Sequence, residues 1–221
     1  MPPQINKSTN RQMFLNCHTA FSFKYGTMPV QVLLNEAKRC GVHKLALTEI
    51  NNVSSYIEML RICRENRAEK DRALTEFGKE PYQLDIALGV EFRREHELLY
   101  IALAENNRGF EAINRFLSHH NAENKSLPQR APRWDDVLVI YPFGKFEPET
   151  LLNNEFIGIR QHELIRLPYF SSYESFMEKF VVLHPVTFVD KIDFNVHRLL
   201  RAIDKNTLLS KLPAHEQARP D

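Results

Sequence analysis

The stretch Met13–Ile50, MFLNCHTAFSFKYGTMPVQVLLNEAKRCGVHKLALTEI, decides the fold. Its start, taken with Gln12, reads as a strand, QMFLNCH, ending at His18. A short polar loop follows. Pro29 then stands where a first helical turn tolerates proline, because that N–H would have no partner anyway. Val30, Leu33, Leu34 and Ala37 recur at helical spacing, and Gly41 is the expected C-terminal cap. His43–Thr48, HKLALT, is a compact apolar run of the kind that forms a buried parallel strand. The stretch is therefore one strand–helix–strand unit.

The pattern repeats along the chain. Val53–Ala68 reads as a helix and Leu84–Phe92 as a strand. A charged turn, RREHE, leads into a strand at Leu98–Ala104. Arg108–His120 is a helix with Phe110, Ile113, Phe116 and Leu117 on one face. Asn121–Arg133 is polar and proline-containing, hence a loop. Strands follow in DVLVIYP, EFIGIR and KFVVLHPVTFV, and Asn195–Ile203 is a last helix. Alternating strands and helices predict an α/β fold with a parallel sheet. No GxGxxG follows the first strand and no Walker loop is present, which disfavours a dinucleotide or NTP fold. About seven strand–helix units in 221 residues predict an irregular, distorted TIM-like barrel. In such barrels the loops at the C-terminal strand ends build the site.

Composition narrows the function. Lys and Arg total 29 against 28 Asp and Glu, a formal charge of +1, with no basic stripe. A protein that grips duplex DNA alone needs a basic excess, so any contact with DNA is expected through a larger parent. Cys17, Cys40 and Cys63 form no zinc pattern and are expected as buried, reduced thiols. The N-terminus lacks an apolar signal core, and no apolar run approaches the roughly 20 residues of a membrane span. These features predict a cytoplasmic protein without membrane contact. The 15 Phe fall at core spacing rather than between basic residues. The histidines show no HExxH spacing, and His197 is expected to be structural.

The residues at the strand ends carry a resemblance. FLNCHTAFSF, LALTEI and LGVEF, in that order, resemble the polymerase and histidinol phosphatase (PHP) domain, in the form found at the N-terminus of bacterial DNA polymerase III alpha subunits. That family is a distorted TIM-like barrel whose strand-end imidazoles and carboxylates hold divalent ions. Such ions activate water and neutralise a phosphate under attack. The resemblance implies metal ligands in a His-x-His-Ser pattern, an Ala-Leu-Thr-Asp-His pattern, a Gly-x-Glu strand, a histidine on the next strand and a closing Asp-x-His.

Most of these positions are altered. Asn16 replaces the first histidine, while His18 keeps the second. Glu49 and Ile50 stand for the Asp-His pair, and Glu91 keeps the Gly-x-Glu carboxylate. Leu99 falls on the next histidine. Lys191 and Asp193, or in a register shifted by one Asp190 and Ile192, fall on the closing pair. His162 lies near a further family histidine.

The expectation is a structural and interaction module with no catalytic residue of its own. Residual metal candidates are His18, Glu49, Glu91, Asp190 and Asp193; the substituted positions are Asn16, Ile50 and Leu99. No tightly bound cofactor is expected, though weak zinc or manganese binding is open, and Mg would serve the parent polymerase. The implied partners are the remaining polymerase domains and proofreading or other replisome subunits. The alternative is an active divalent-metal phosphoesterase, a proofreading exonuclease or a histidinol-phosphatase-like enzyme, with an altered ligand set. The expected organisation is a polar extension over 1–12, the PHP-like domain over 13–205, and a linker over 206–221.

Overall fold

A computed structural model of the chain describes residues 13–65, 84–169 and 174–218. The extension over 1–12, the last residues of the expected helix 53–68 and the end of the tail lie outside the described residues. The strands are β1 (Met13–Cys17), β2 (Lys44–Ile50), β3 (Asp85–Arg94), β4 (Glu97–Ala104), β5 (Val137–Pro142), β6 (Glu155–Ile159), β7 (Phe180–Val182) and β8 (Pro185–Val186). The helices are α1 (Val30–Arg39), α2 (residues 55–65), α3 (Asn107–Ala122) and α4 (Lys191–Asp204). Short 3₁₀ turns cover Gln161–Tyr169, Glu174–Lys179, Leu209–Lys211 and Ala214–Glu216.

One eight-stranded sheet runs in the order β7-β6-β5-β4-β3-β2-β1-β8 and curls into part of a barrel, the distorted TIM-like shape expected. Every neighbouring pair is parallel except those made by β4, which runs antiparallel to both β3 and β5. This departs from the uniformly parallel sheet that the alternation of elements predicts. The cause is local. Only Glu95 and His96 separate β3 from β4, and Glu95 takes the left-handed conformation, φ 54°. Two residues can close a hairpin, whereas a parallel crossover needs a dozen or more.

Apolar layers cover both faces of the sheet. On one face, Val30, Leu33, Leu34 and Ala37 of α1 pack with Met59 and Ile62 of α2 on Leu45 and Leu47. Further along, Ile113 and Leu117 of α3 pack on Val90, Phe92, Val139 and Tyr141. Ala46 and Ile140, which alternate with those strand residues, form a separate cluster on the other face with Ile101 and Leu103 of β4 and with Leu183. Alternation of side chains across a strand produces this division. Gly109 lets α3 approach the chain before β5: a Cβ there would lie 1.9 Å from the Asp136 carbonyl oxygen. The loop over 123–133 is pinned by Arg130, which donates to Glu155 at 2.5 Å, and by the Ala131 N–H, which donates to the Tyr141 hydroxyl.

Of the cysteines, Cys17 is buried as expected. Against expectation, Cys40 caps α1 and faces solvent, and Cys63 is only half-buried; no two of the three form a disulfide. The last helix starts at Lys191, four residues before the predicted start, because Asp190 caps it by accepting from the Ile192 and Asp193 N–H groups. Residues well inside the expected linker pack on α4: Arg201 donates to Glu216 at 2.7 Å, and both side chains are nearly buried. No described helix is long and apolar enough to cross a membrane.

Candidate functional site

Parallel strands β1, β2, β3 and β8 deliver their C-terminal ends to one place. Asn16, His18, Thr48, Glu91 and Thr187 meet there, all buried, as is Glu49 next to Thr48. Burying this many polar groups is tolerable only where each finds a partner, and here they do.

Glu91 is the centre. Its Oε2 accepts from Asn16 Nδ2 at 2.6 Å and lies 3.1 Å from His18 Nε2. Its Oε1 accepts from the Arg93 Nε–H two residues along β3. Arg93 in turn donates to the Tyr25 hydroxyl at 3.0 Å, with its guanidinium 4.4 Å from the Tyr25 ring centre. Burial works to raise the Glu91 pKa. Arg93, His18 and Asn16 outweigh it and hold the carboxyl far below the usual carboxylate range. Burial likewise opposes the Arg93 charge, and Glu91 and Tyr25 overcome it, so its pKa is raised. With a carboxylate on Nε2, His18 donates there, and its Nδ1 pairs with the Thr187 hydroxyl at 3.1 Å. Thr48 donates to Asn16 Oδ1 at 2.8 Å, which fixes the amide with its NH₂ toward Glu91.

Glu49 belongs to a separate network. The Thr19 N–H and hydroxyl donate to it, as does the Ser22 hydroxyl at 2.5 Å. Ser22 Oγ also accepts from the Ile50 N–H. The carboxylate thus fastens the loop after β1 to the end of β2. The Ile50 side chain is half-buried. Leu99 is the extra residue where the β3–β4 register shifts, and it packs with Phe92 and Val90 on the α3 side. Its neighbours Leu98 and Ile101 border the other face. Asp190 and Asp193 serve α4: Asp190 caps it, and Asp193 accepts from the Val189 N–H at 3.2 Å. Lys191 and Ile192 stand exposed on its first turn.

Sequence reasoning missed Arg93, Thr187 and Tyr25. The Arg93 signal was present, since a strand alternating in and out puts residues 91 and 93 on one face. His197 is buried and structural. Its Nε2 accepts from the Ala218 N–H at 2.8 Å, so its Nδ1 carries the proton and donates to the Tyr25 carbonyl at 2.6 Å. Burial lowers its pKa to about 4, opposed by the bond to Tyr25 and assisted by Arg201, Arg93 and His18. Over the strand ends lies a cavity of about 80 Å³, lined by Tyr25, Arg93, His96, Arg160, His162 and His215 among others.

The strand-end donors do not suit the divalent ions that the family resemblance implies. Glu91 presents both oxygens to Arg93, Asn16 and His18, and Asn16 aims N–H bonds rather than a lone pair at the centre. Among the described residues, His18, Glu49 and Glu91 do not gather as three ligand atoms within reach of one ion.

A curled α/β sheet with a polar cluster at its C-terminal strand ends defines a distorted TIM-like barrel. The PHP domain family model matches residues 15–153, and the chain belongs to that family. No curated protein matches the chain. A solved structure described as a metal-dependent phosphoesterase from Bifidobacterium adolescentis aligns at 22% identity and a TM-score of 0.31, covering 50% of this chain. The alignment spans only 33% of that protein.

Proposed function

We propose that this PHP domain has lost hydrolysis and serves as a structural and interaction module of a replicative DNA polymerase, of the DNA polymerase III alpha subunit type. One observation carries the first part: the Arg93 guanidinium sits on Glu91 where a metal-binding site would need that carboxylate open. A fixed internal cation supplies the charge balance that an ion would otherwise provide. The polymerase context rests on the resemblance of Met13–Ile50 and LGVEF to that family's opening. The interaction role is supported by α4, where Ile192, Val196, Leu199 and Ile203 form a solvent-exposed stripe at helical spacing. Single exposed apolar residues are ordinary, but a contiguous row marks a surface that another domain can cover.

The loss of hydrolysis is tested with a chromogenic phosphodiester in the presence of manganese or zinc; turnover above background would end that reading. Metal analysis after purification without chelator should give no more than one zinc or manganese per chain. Two or more tightly held ions would contradict it. For the interaction role, the chain should co-purify with the palm and thumb domains of the parent polymerase, and Ile192→Glu combined with Leu199→Glu should abolish this without loss of folding. Co-purification that survives the double substitution would remove α4 from the interface.

A further inference from the structure

Where the β3–β4 turn meets the C-terminal segment, His96, His215 and Glu216 bring three ligand atoms within 4.8 Å of one another. We propose that these residues bind one divalent transition-metal ion of the zinc class, which clasps the C-terminal segment to the turn. None of the three stands at a position where the family resemblance places a ligand, and two lie beyond the matched residues 15–153.

The geometry suits such an ion. His96 Nδ1 lies 3.7 Å from Glu216 Oε1. Ligands of a tetrahedral zinc with bonds near 2.0–2.1 Å are separated by about 3.3–3.4 Å, so a small side-chain rotation closes the site. The His96 and His215 rings are 4.6 Å apart between centres and inclined at 51°. Neither ring makes a hydrogen bond among the described residues, and both reach solvent. Glu216, by contrast, is buried and held in place. Arg201 donates to its Oε2 at 2.7 Å and to its own backbone carbonyl at 3.0 Å. A ligand carboxylate oriented by a second residue is the usual support of a metal site. Two imidazoles and one carboxylate favour zinc and its neighbours over calcium or magnesium, which prefer all-oxygen sites. A fourth position is open toward the cavity that His96 and His215 line.

One group competes. Lys205 Nζ stands 3.0 Å from Glu216 Oε1, the oxygen facing His96. An incoming ion must share that oxygen or displace the ammonium, which sits near the surface and can swing outward. Lys205→Met should therefore tighten binding by roughly tenfold, an effect that a merely structural cluster would not show.

The test uses the chain with any affinity tag removed and treated with chelator, titrated with zinc by calorimetry at pH 7.5, with cobalt absorption reporting coordination. The expected result is one equivalent bound and a melting temperature raised by several degrees in excess zinc. His96→Ala and His215→Ala should each weaken binding by tenfold or more. Both side chains are exposed, so melts without metal should match the parent and separate loss of binding from loss of fold. The proposal is overturned if no zinc binds, or if binding survives His96→Ala and is lost in His18→Gln, which would place the ion at the strand ends instead.

Discussion

The Arg93 guanidinium rests on the Glu91 carboxylate with side-chain exposures of 11% and 0%. Two residues on the same face of one strand thus form an ion pair almost out of water. Breaking one partner of such a pair leaves an uncompensated buried charge, at a cost of about 3–5 kcal/mol. Arg93→Met should therefore lower unfolding stability by that order. Glu91→Gln with Arg93→Met together should lose clearly less than the sum of the two single changes. Urea unfolding of the four proteins measures the coupling. A single Arg93→Met change costing under about 1 kcal/mol would show that the pair does not hold the site.

Acid should weaken the fold in two successive windows. His197 has a folded-state pKa of about 4 against a reference of 6.5, so the unfolded chain binds more protons between those values. Its contribution is complete above pH 6.5 and is lost as pH falls toward 4. Protonating Nε2 would also break its bond to the Ala218 N–H. Glu91 has a depressed pKa against a reference of 4.5, so its contribution is present above about 4.5 and declines below it. Urea midpoints from pH 8 to pH 4 should fall mainly below 6.5, and His197→Gln should flatten that first slope. An unchanged slope in the variant would assign it to other groups.

Restoring one family residue should not restore chemistry. Ligands of a multi-metal hydrolase act as a unit, and Asn16→His would still leave Arg93 on Glu91 and Ile50 at the end of β2. No gain on a chromogenic phosphodiester is expected from Asn16→His alone. A combined Asn16→His, Glu49→Asp, Ile50→His, Leu99→His variant should lose stability. Leu99 is fully buried among apolar side chains, and an unpaired imidazole there costs on the order of 1–3 kcal/mol. Thermal melts beside the activity assay decide both points, and hydrolysis well above the parent by Asn16→His would mean the site was nearly intact.

Nucleic-acid affinity should be weak. With a formal charge of +1, the chain alone should bind primed duplex only in the non-specific range, about 10⁻⁴ to 10⁻⁶ M, and incorporate no nucleotides. A gel shift at nanomolar protein and physiological salt would contradict this.

Periodicity and short motifs carried much of this protein in the sequence itself. The apolar spacing over Val30–Ala37 and the runs at His43–Thr48 and Leu84–Phe92 place α1, β2 and β3 within a residue or two, because helical and strand burial repeat at fixed intervals. The strand-end motifs likewise locate His18 and Glu91 at a common site, and they expose Asn16 as a departure from the ligand pattern. What Glu91 does there was decided by the tertiary structure. Arg93 is two positions away in sequence, but only the curl of the sheet, with Tyr25 from the loop after β1 packed against it, turns that neighbour into a buried counter-ion. Thr187, 169 residues from His18, joins through the β1–β8 pairing. Asp190 and Asp193 could be ligands or helix caps on their letters alone; their use by α4 follows from where that helix begins. The meeting of His96 with His215 and Glu216 has no trace in local spacing, since it depends on the C-terminal segment folding back over the barrel mouth through Arg201 and His197. Local patterns fix elements because backbone geometry is periodic, whereas contacts between distant elements depend on the path of the whole chain.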